Sequence, residues 1–142
     1  MVTVRWVGDL RFEGRSGDAI TAIDGDGEAG PSPVSLLLES VAACTGADVV
    51  DILRKGREKV EELAVEVVAM RQTGHPRYVK RLELTFRIRG DVPRRKAERA
   101  IDLSLEKYCS VFHSLRKDLA LDVELVLEEG DGTSAGSAAE GG

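Results

Sequence analysis

The clearest pattern of apolar positions lies past the middle of the chain. Leu82, Leu84, Phe86 and Ile88 alternate with mostly polar residues. A period of two marks a strand with one buried face, so Lys80 to Arg89 is predicted to be a strand. Leu63 to Arg71 carries a looser version. There Leu63, Val65, Val67 and Ala69 share one face and Val68 lies on the other. Gly74 and Pro76, between Gln72 and Arg77, supply the turn. Such alternation implies a sheet with one wet face. Near the start, Thr3 to Val7, Leu10 to Glu13 and Ala19 to Ile23 read as short strands, with Gly8-Asp9 as a turn signal. Leu121 to Leu127 reads as a final strand.

Between these stretches the period changes to that of a helix. Ser32-Pro33 is a helix opening: serine accepts from an early backbone N–H, and proline fits the first position, whose N–H has no partner anyway. The helix is predicted to run from Pro33 to about Lys55 and to end at Gly56. It is apolar around most of its circumference, which calls for cover on several sides. Gly46 lets another backbone come close, so a helix crossing is expected beside Cys44. A second helix is predicted near Pro93, with Ala97, Ile101, Ser104 and Tyr108 on one face. Arg94, Arg95, Lys96, Glu98 and Arg99 take its wet side. A break near Cys109 and a short helix from Ser110 to about Lys117 follow. The glycine-, serine- and alanine-rich stretch from Gly130 to Gly142 is expected to be a disordered tail. The chain thus reads as one α+β domain over residues 1–129 and a tail over 130–142.

Composition narrows the function. A chain of 142 residues suffices for one core. The net charge is −5 and the basic residues are scattered, which argues against nucleic-acid binding. No basic segment followed by an apolar run opens the chain, so a secretory leader is not expected. The apolar stretch from Val34 to Leu53 is interrupted by Glu39, Asp48 and Asp51, and charges inside a span are costly. A buried helix is expected there and no membrane contact. Asp24 to Gly30 resembles a calcium loop in its alternating carboxylates. Ala29 stands where such a loop needs glycine and Ser35 where it needs glutamate, so a solvated acidic loop is expected.

Two cysteines remain as candidate chemistry. Cys44 ends the run Pro31-Ser32-Pro33-Val34-Ser35-Leu36-Leu37-Leu38-Glu39-Ser40-Val41-Ala42-Ala43-Cys44, and Cys109 lies in Glu106-Lys107-Tyr108-Cys109-Ser110-Val111. Two thiols without a leader suggest a reducing compartment, where cysteines are either buried structural residues or reactive ones. The nucleophile is the thiolate, so a reactive cysteine needs a lowered pKa. Cys109 is predicted at a helix start, where free N–H groups favour negative charge. Cys44 lies in a helix interior, and Asp48 at i+4 opposes its thiolate. His113, four residues after Cys109, offers either a Cys–His pair or half of a zinc site. A metal needs two further ligands; Cys44 is one, and His75, in a turn, is a poor second. No metal is expected, and His113 is read as a partly exposed residue beside Phe112. No Ser-His-Asp signature, phosphate loop or dinucleotide fingerprint is present.

From about Val4 to Leu127 the chain resembles the OsmC/Ohr family, the osmotically inducible protein C and organic hydroperoxide resistance proteins. The resemblance rests on the two cysteine frames, 65 residues apart. It is nearest a less characterised branch, through Val49-Val50-Asp51-Ile52-Leu53-Arg54-Lys55-Gly56-Arg57 and Glu106-Lys107-Tyr108-Cys109-Ser110-Val111. It implies an α+β fold with antiparallel sheets around long central helices, in an intertwined homodimer with the thiols near the interface. It further implies a cytoplasmic, cofactor-free peroxidase. Cys44 would attack an organic hydroperoxide, Cys109 would close a disulfide on it, and a cytoplasmic dithiol would reduce that disulfide. The family places an arginine from the N-terminal strands beside the first thiol, here Arg11 or Arg15, and a glutamate just after the helix-opening proline. That position is Val34 here. Glu39 does not replace it, lying about 140° around the helix from Cys44. The alternative within the same fold is a protein that binds a small apolar ligand near the thiols, or senses redox state, with little turnover.

Overall fold

The computed structural model describes residues 1–131; the tail expected from Gly130 lies outside the described residues beyond Asp131. Two compact units divide the chain, one over Met1–Glu39 and one from Ser40 onward.

The first unit is built on an antiparallel sheet of β1 (Val2–Gly8), β2 (Arg11–Ser16) and β3 (Ala19–Asp24), in that order. Its register pairs Arg11 with Asp24 and Arg15 with Ile20. Asp9, with φ of 45°, makes the first turn, and its carbonyl accepts from Trp6 Nε1 at 2.8 Å. The acidic loop that follows is not merely solvated, contrary to expectation. Asp24 is buried, and its two carboxylate oxygens accept from the N–H groups of Asp26 at 2.9 Å and Ala29 at 2.8 Å. Those donors hold its pKa below the ordinary carboxylate range. The carboxylate thus shapes the loop from within.

The long helix α1 (Pro33–Lys55) has the predicted ends. Ser32 Oγ accepts from Ser35 N–H at 3.2 Å, satisfying one of the orphan donors of the first turn. At the other end the N–H groups of Arg57 and Glu58 bond to the carbonyls of Arg54 and Leu53. This is a Schellman closure, and the residue in the left-handed conformation is Arg57, with φ of 62°, rather than Gly56.

The second unit carries a mixed sheet of β4 (Lys59–Arg71), β5 (Val79–Asp91) and β6 (Ala120–Glu128). β4 and β5 pair antiparallel, but β6 runs parallel to β5, which corrects the expectation of purely antiparallel sheets. The reason lies in the connection. Residues 94–113 form a helical crossover that returns the chain to the end where β5 began, and a strand starting there must run parallel. The crossover comprises α2 (Arg94–Leu103), a π-helical turn (Ser104–Tyr108) and α3 (Ser110–His113), shorter than the expected helix to Lys117.

The core of this unit is the predicted face of β5. Leu82, Leu84, Phe86 and Ile88 are buried with Val41, Val49 and Leu53 of α1 and Ala97, Ala100 and Ile101 of α2. Gly46 is buried too, but its close neighbours are the side chains of Leu63 and Val65 on β4. The expected helix crossing at that glycine is replaced by helix-on-sheet packing. α1 is covered on one stripe only, Val41, Thr45, Gly46, Val49 and Leu53. Leu37, Ala43 and Ala47 remain exposed, so the cover expected on several sides is not supplied by the described residues. Of the expected long helices one is present; α2 has 10 residues. The wet face of the sheet is laced by ion pairs, Arg89 with Glu62 at 2.7 Å, Arg87 with Glu66, and Arg81 with Asp122.

Phe86 is fully buried at the centre of the middle strand. Phe86→Ala is expected to lower unfolding stability by about 3–5 kcal/mol, read from denaturant titration.

Candidate functional site

The site begins with two residues one helical turn apart on α1, Cys44 and Asp48. Both belong to the second unit. Their position beside the buried stripe follows from the helix period, since Cys44 precedes buried Thr45 and Asp48 precedes buried Val49. Both are half-buried.

The other half of the site comes from the crossover. At the end of α2 the helix widens, and Cys109 N–H donates to the Ser104 carbonyl at 2.8 Å, an i to i+5 bond. Widening moves the face that periodicity predicts. Ala97, Ile101 and Ser104 are buried as expected, but Tyr108 is turned out. The residue turned in is Cys109, which is fully buried in an extended conformation, with φ of −73° and ψ of 100°. It then caps α3. Its Sγ accepts from Phe112 N–H at 3.3 Å, and its carbonyl accepts from His113 N–H at 3.0 Å.

The sulfurs of Cys44 and Cys109 and a carboxylate oxygen of Asp48 all lie within 4.8 Å of one another. Both cysteines are free thiols. Asp48 is held by a hydrogen bond from Ser104 Oγ at 2.8 Å. Two thiols and a carboxylate are the only group of three metal-capable donors among the described residues. His113 is not in it. Its exposed ring stands edge-on to Phe112 at 5.9 Å, the neighbour expected for it. His75 sits exposed in the turn before β5.

The electrostatics of Cys109 run against the expectation of a lowered pKa. Its pKa is raised from an ordinary 9.0 to about 11, first by burial, then by the neighbouring Cys44 thiol and the charge of Asp48. The Phe112 N–H pulls the other way but does not win. The helix it caps has four residues, too short to supply a dipole that outweighs burial.

Arg11 and Arg15 lie on the same face of β2, in the first unit. Arg11 pairs with Asp9 at 3.3 Å and Arg15 with Glu13 at 2.9 Å, and both remain about half-exposed. The first turn of α1 contains no acidic residue, and Val34 there is half-buried.

Ser104 was legible only as a core position. A buried hydroxyl needs a partner, and that need is the signal that could have pointed to Asp48. Asp48 itself was read as a charge interrupting the apolar stretch and as a neighbour of Cys44. The structure sets it against Cys109 as well.

Comparison with known proteins shows the family and the fold. A model of the OsmC-like protein family matches residues 25–124, a span that contains both cysteines, Asp48 and Ser104. The chain belongs to the OsmC-like family. It is 38% identical over 117 residues to Protein YhfA of Escherichia coli K12, covering 80% of this chain and 87% of that one. The fold is similar to that of a hypothetical protein from Aquifex aeolicus, with a TM-score of 0.85 and 27% identity over 91% of this chain and 96% of that one. It is also similar to the organic hydroperoxide resistance protein OhrB of Bacillus subtilis, with a TM-score of 0.61 and 22% identity over 90% and 96% of the two chains; this last likeness speaks to the fold alone. No helix among the described residues is long and apolar enough to cross a membrane.

The raised thiol pKa has a consequence for stability. Between pH 9.0 and about 11 the unfolded chain has released the Cys109 proton and the folded chain still holds it. Folding is therefore favoured below that window and loses this contribution as pH rises through it. Over that window wild type is expected to lose more stability than Cys109→Ser, measured by denaturant titration at stepped pH.

Proposed function

We propose that this OsmC-like protein reduces organic hydroperoxides through a Cys44–Cys109 disulfide. The observation that carries the reading is the approach of two free thiols, distant in sequence, to within 4.8 Å. Structural burial alone does not require them to meet. Disulfide formation needs only a further small approach, since bridged cysteines have well-defined Cβ and sulfur separations.

In this scheme the Cys44 thiolate attacks the outer oxygen of the hydroperoxide. The O–O bond breaks, the outer OH passes to sulfur so that Cys44 becomes a sulfenic acid, and the alkoxide leaves as an alcohol by taking a proton from solvent. The Cys109 sulfur then attacks the Cys44 sulfur and water leaves. A cytoplasmic dithiol restores both thiols. Assignment of Cys44 to the first step agrees with exposure: Cys44 is half-buried and Cys109 is fully buried with a raised pKa. The family resemblance assigns the supporting positive charge to Arg11 or Arg15. No cofactor enters the scheme.

A homodimer completes the reading. Apolar side chains left exposed on α1 and on the N-terminal strands, Leu37, Val4, Trp6 and Ile20 among them, are the surface that a second copy would cover. Sedimentation at micromolar concentration is expected to give a dimer.

The chemistry is tested in Cys109→Ser protein. One equivalent of an organic hydroperoxide is expected to add a single oxygen to Cys44, seen by mass spectrometry. Val34→Glu is expected to accelerate that oxidation by restoring a carboxylate that orients the arginine. If Cys44 oxidises no faster than a free thiol of similar exposure in either background, the peroxidase reading fails and apolar-ligand binding takes its place.

A further inference from the structure

The cluster holds an ionisable group that two-thiol chemistry does not itself require. Asp48 is half-buried, one carboxylate oxygen accepts from Ser104 Oγ at 2.8 Å, and a carboxylate oxygen lies within 4.8 Å of both sulfurs. A carboxylate next to two thiols has a cost, because each negative charge disfavours the others. Cys44 and Asp48, both from α1, are among the groups that raise the Cys109 pKa. A purely structural residue here would be better as asparagine or serine, which would accept from Ser104 without the charge.

We propose that Asp48 is the proton acceptor for Cys109 as that thiol closes the disulfide on Cys44, with Ser104 as the positioning residue that holds the carboxylate. The proposal rests on the two-thiol reading above and concerns its second step. Cys109 begins that step as a thiol, since it is buried and ionises only near pH 11. Its S–H bond breaks as its sulfur bonds to the Cys44 sulfur. The S–O bond of the sulfenic acid breaks with its electron pair on oxygen. The proton passes from Cys109 to Asp48 and on to the departing hydroxide, which leaves as water. Asp48 ends as the carboxylate it began as, and atoms and charge balance. General acid–base reach is a direct hydrogen bond or one bridging water, and the observed spacing allows the second.

Two effects of the same carboxylate predict opposite signs. If Asp48 acts only through its charge, Asp48→Asn relieves Cys109 and speeds disulfide closure. If it accepts the proton, Asp48→Asn slows closure by about a hundredfold. The experiment follows disulfide closure by quenched mass spectrometry after one equivalent of an organic hydroperoxide, in wild type, Asp48→Asn and Ser104→Ala. In wild type the closure rate is expected to be nearly independent of pH in the neutral range. In Asp48→Asn it is expected to rise in proportion to hydroxide, because only the pre-formed thiolate then reacts. Ser104→Ala is expected to give an intermediate slowing with the flat profile retained, which loss of packing alone would not produce.

A second arm separates this proposal from the peroxidase reading. An aromatic disulfide, dithionitrobenzoate, places a mixed disulfide on Cys44. Attack by Cys109 then forms the protein disulfide and expels the coloured aromatic thiolate, with the Cys109 proton lost to a base. This step needs no hydroperoxide. Slower release and a hydroxide-dependent profile in Asp48→Asn would support the proton acceptor even if no hydroperoxide reacts. Unchanged or faster release in Asp48→Asn, with the wild-type pH profile kept, overturns it, whatever the fate of the first step.

Discussion

One backbone hydrogen bond decides what this site contains. The Cys109 N–H reaches back five residues to the Ser104 carbonyl, and the extra residue in that turn rotates everything after it. In a regular α-helix the buried face that holds Ala97, Ile101 and Ser104 would continue to Tyr108. With the wider turn, Tyr108 is half-exposed and Cys109 is fully buried. π-helical turns sacrifice regular hydrogen bonding and are seldom found without a local reason. The reason here is visible. The turn aims Cys109 at Cys44, while Ser104, on the regular face where the turn begins, donates to Asp48, on the same helix as Cys44.

The surroundings can carry that irregularity because they are otherwise regular. β5 packs four alternating apolar side chains against the buried stripe of α1 and the small residues of α2. Gly46 lies against Leu63 and Val65 with no side chain between, which seats the helix close to the sheet near Cys44 and Asp48. Cys44 and Asp48 are then fixed by a helix that has little room to rotate, and Cys109 is fixed by its cap on Phe112 N–H. Two rigid supports presenting two sulfurs is a better basis for reversible bond formation than two loops would be.

The regular parts were the legible parts. The limits of α1 followed from Ser32-Pro33 and from the Lys55-Gly56 end, although the left-handed residue proved to be Arg57. The buried face of β5 followed from its period of two. The convergence of the thiols came from resemblance, since nothing in the spacing of Cys44 and Cys109 says they meet. What was not legible depended on non-local geometry. The parallel direction of β6 follows from the length of the crossover after β5, which residue patterns near Leu121 do not encode. The π-turn broke the helical period at Tyr108. The pKa of Cys109 was misjudged because a helix start is visible in sequence and burial is not. Asp24 was misjudged in the same way, its loop being acidic in composition but organised around a buried carboxylate.

The electrostatic character of the cluster separates the two cysteines more sharply than their exposure does. Within it, Cys109 faces a carboxylate and another thiol, and burial adds to both. Every one of these influences favours the neutral thiol. A nucleophile that must act as a pre-formed thiolate would be poorly served at that position. A nucleophile that loses its proton during attack is hindered far less, because charge need never build up on the buried sulfur. The environment of Cys109 therefore suits a partner that reacts with a neighbouring sulfur at close range and is poorly suited to meeting a diffusing oxidant. In the proposed chemistry the absence of an acidic residue in the first turn of α1 bears on Cys44 alone, which separates the step assigned to Val34's position from the one proposed for Asp48.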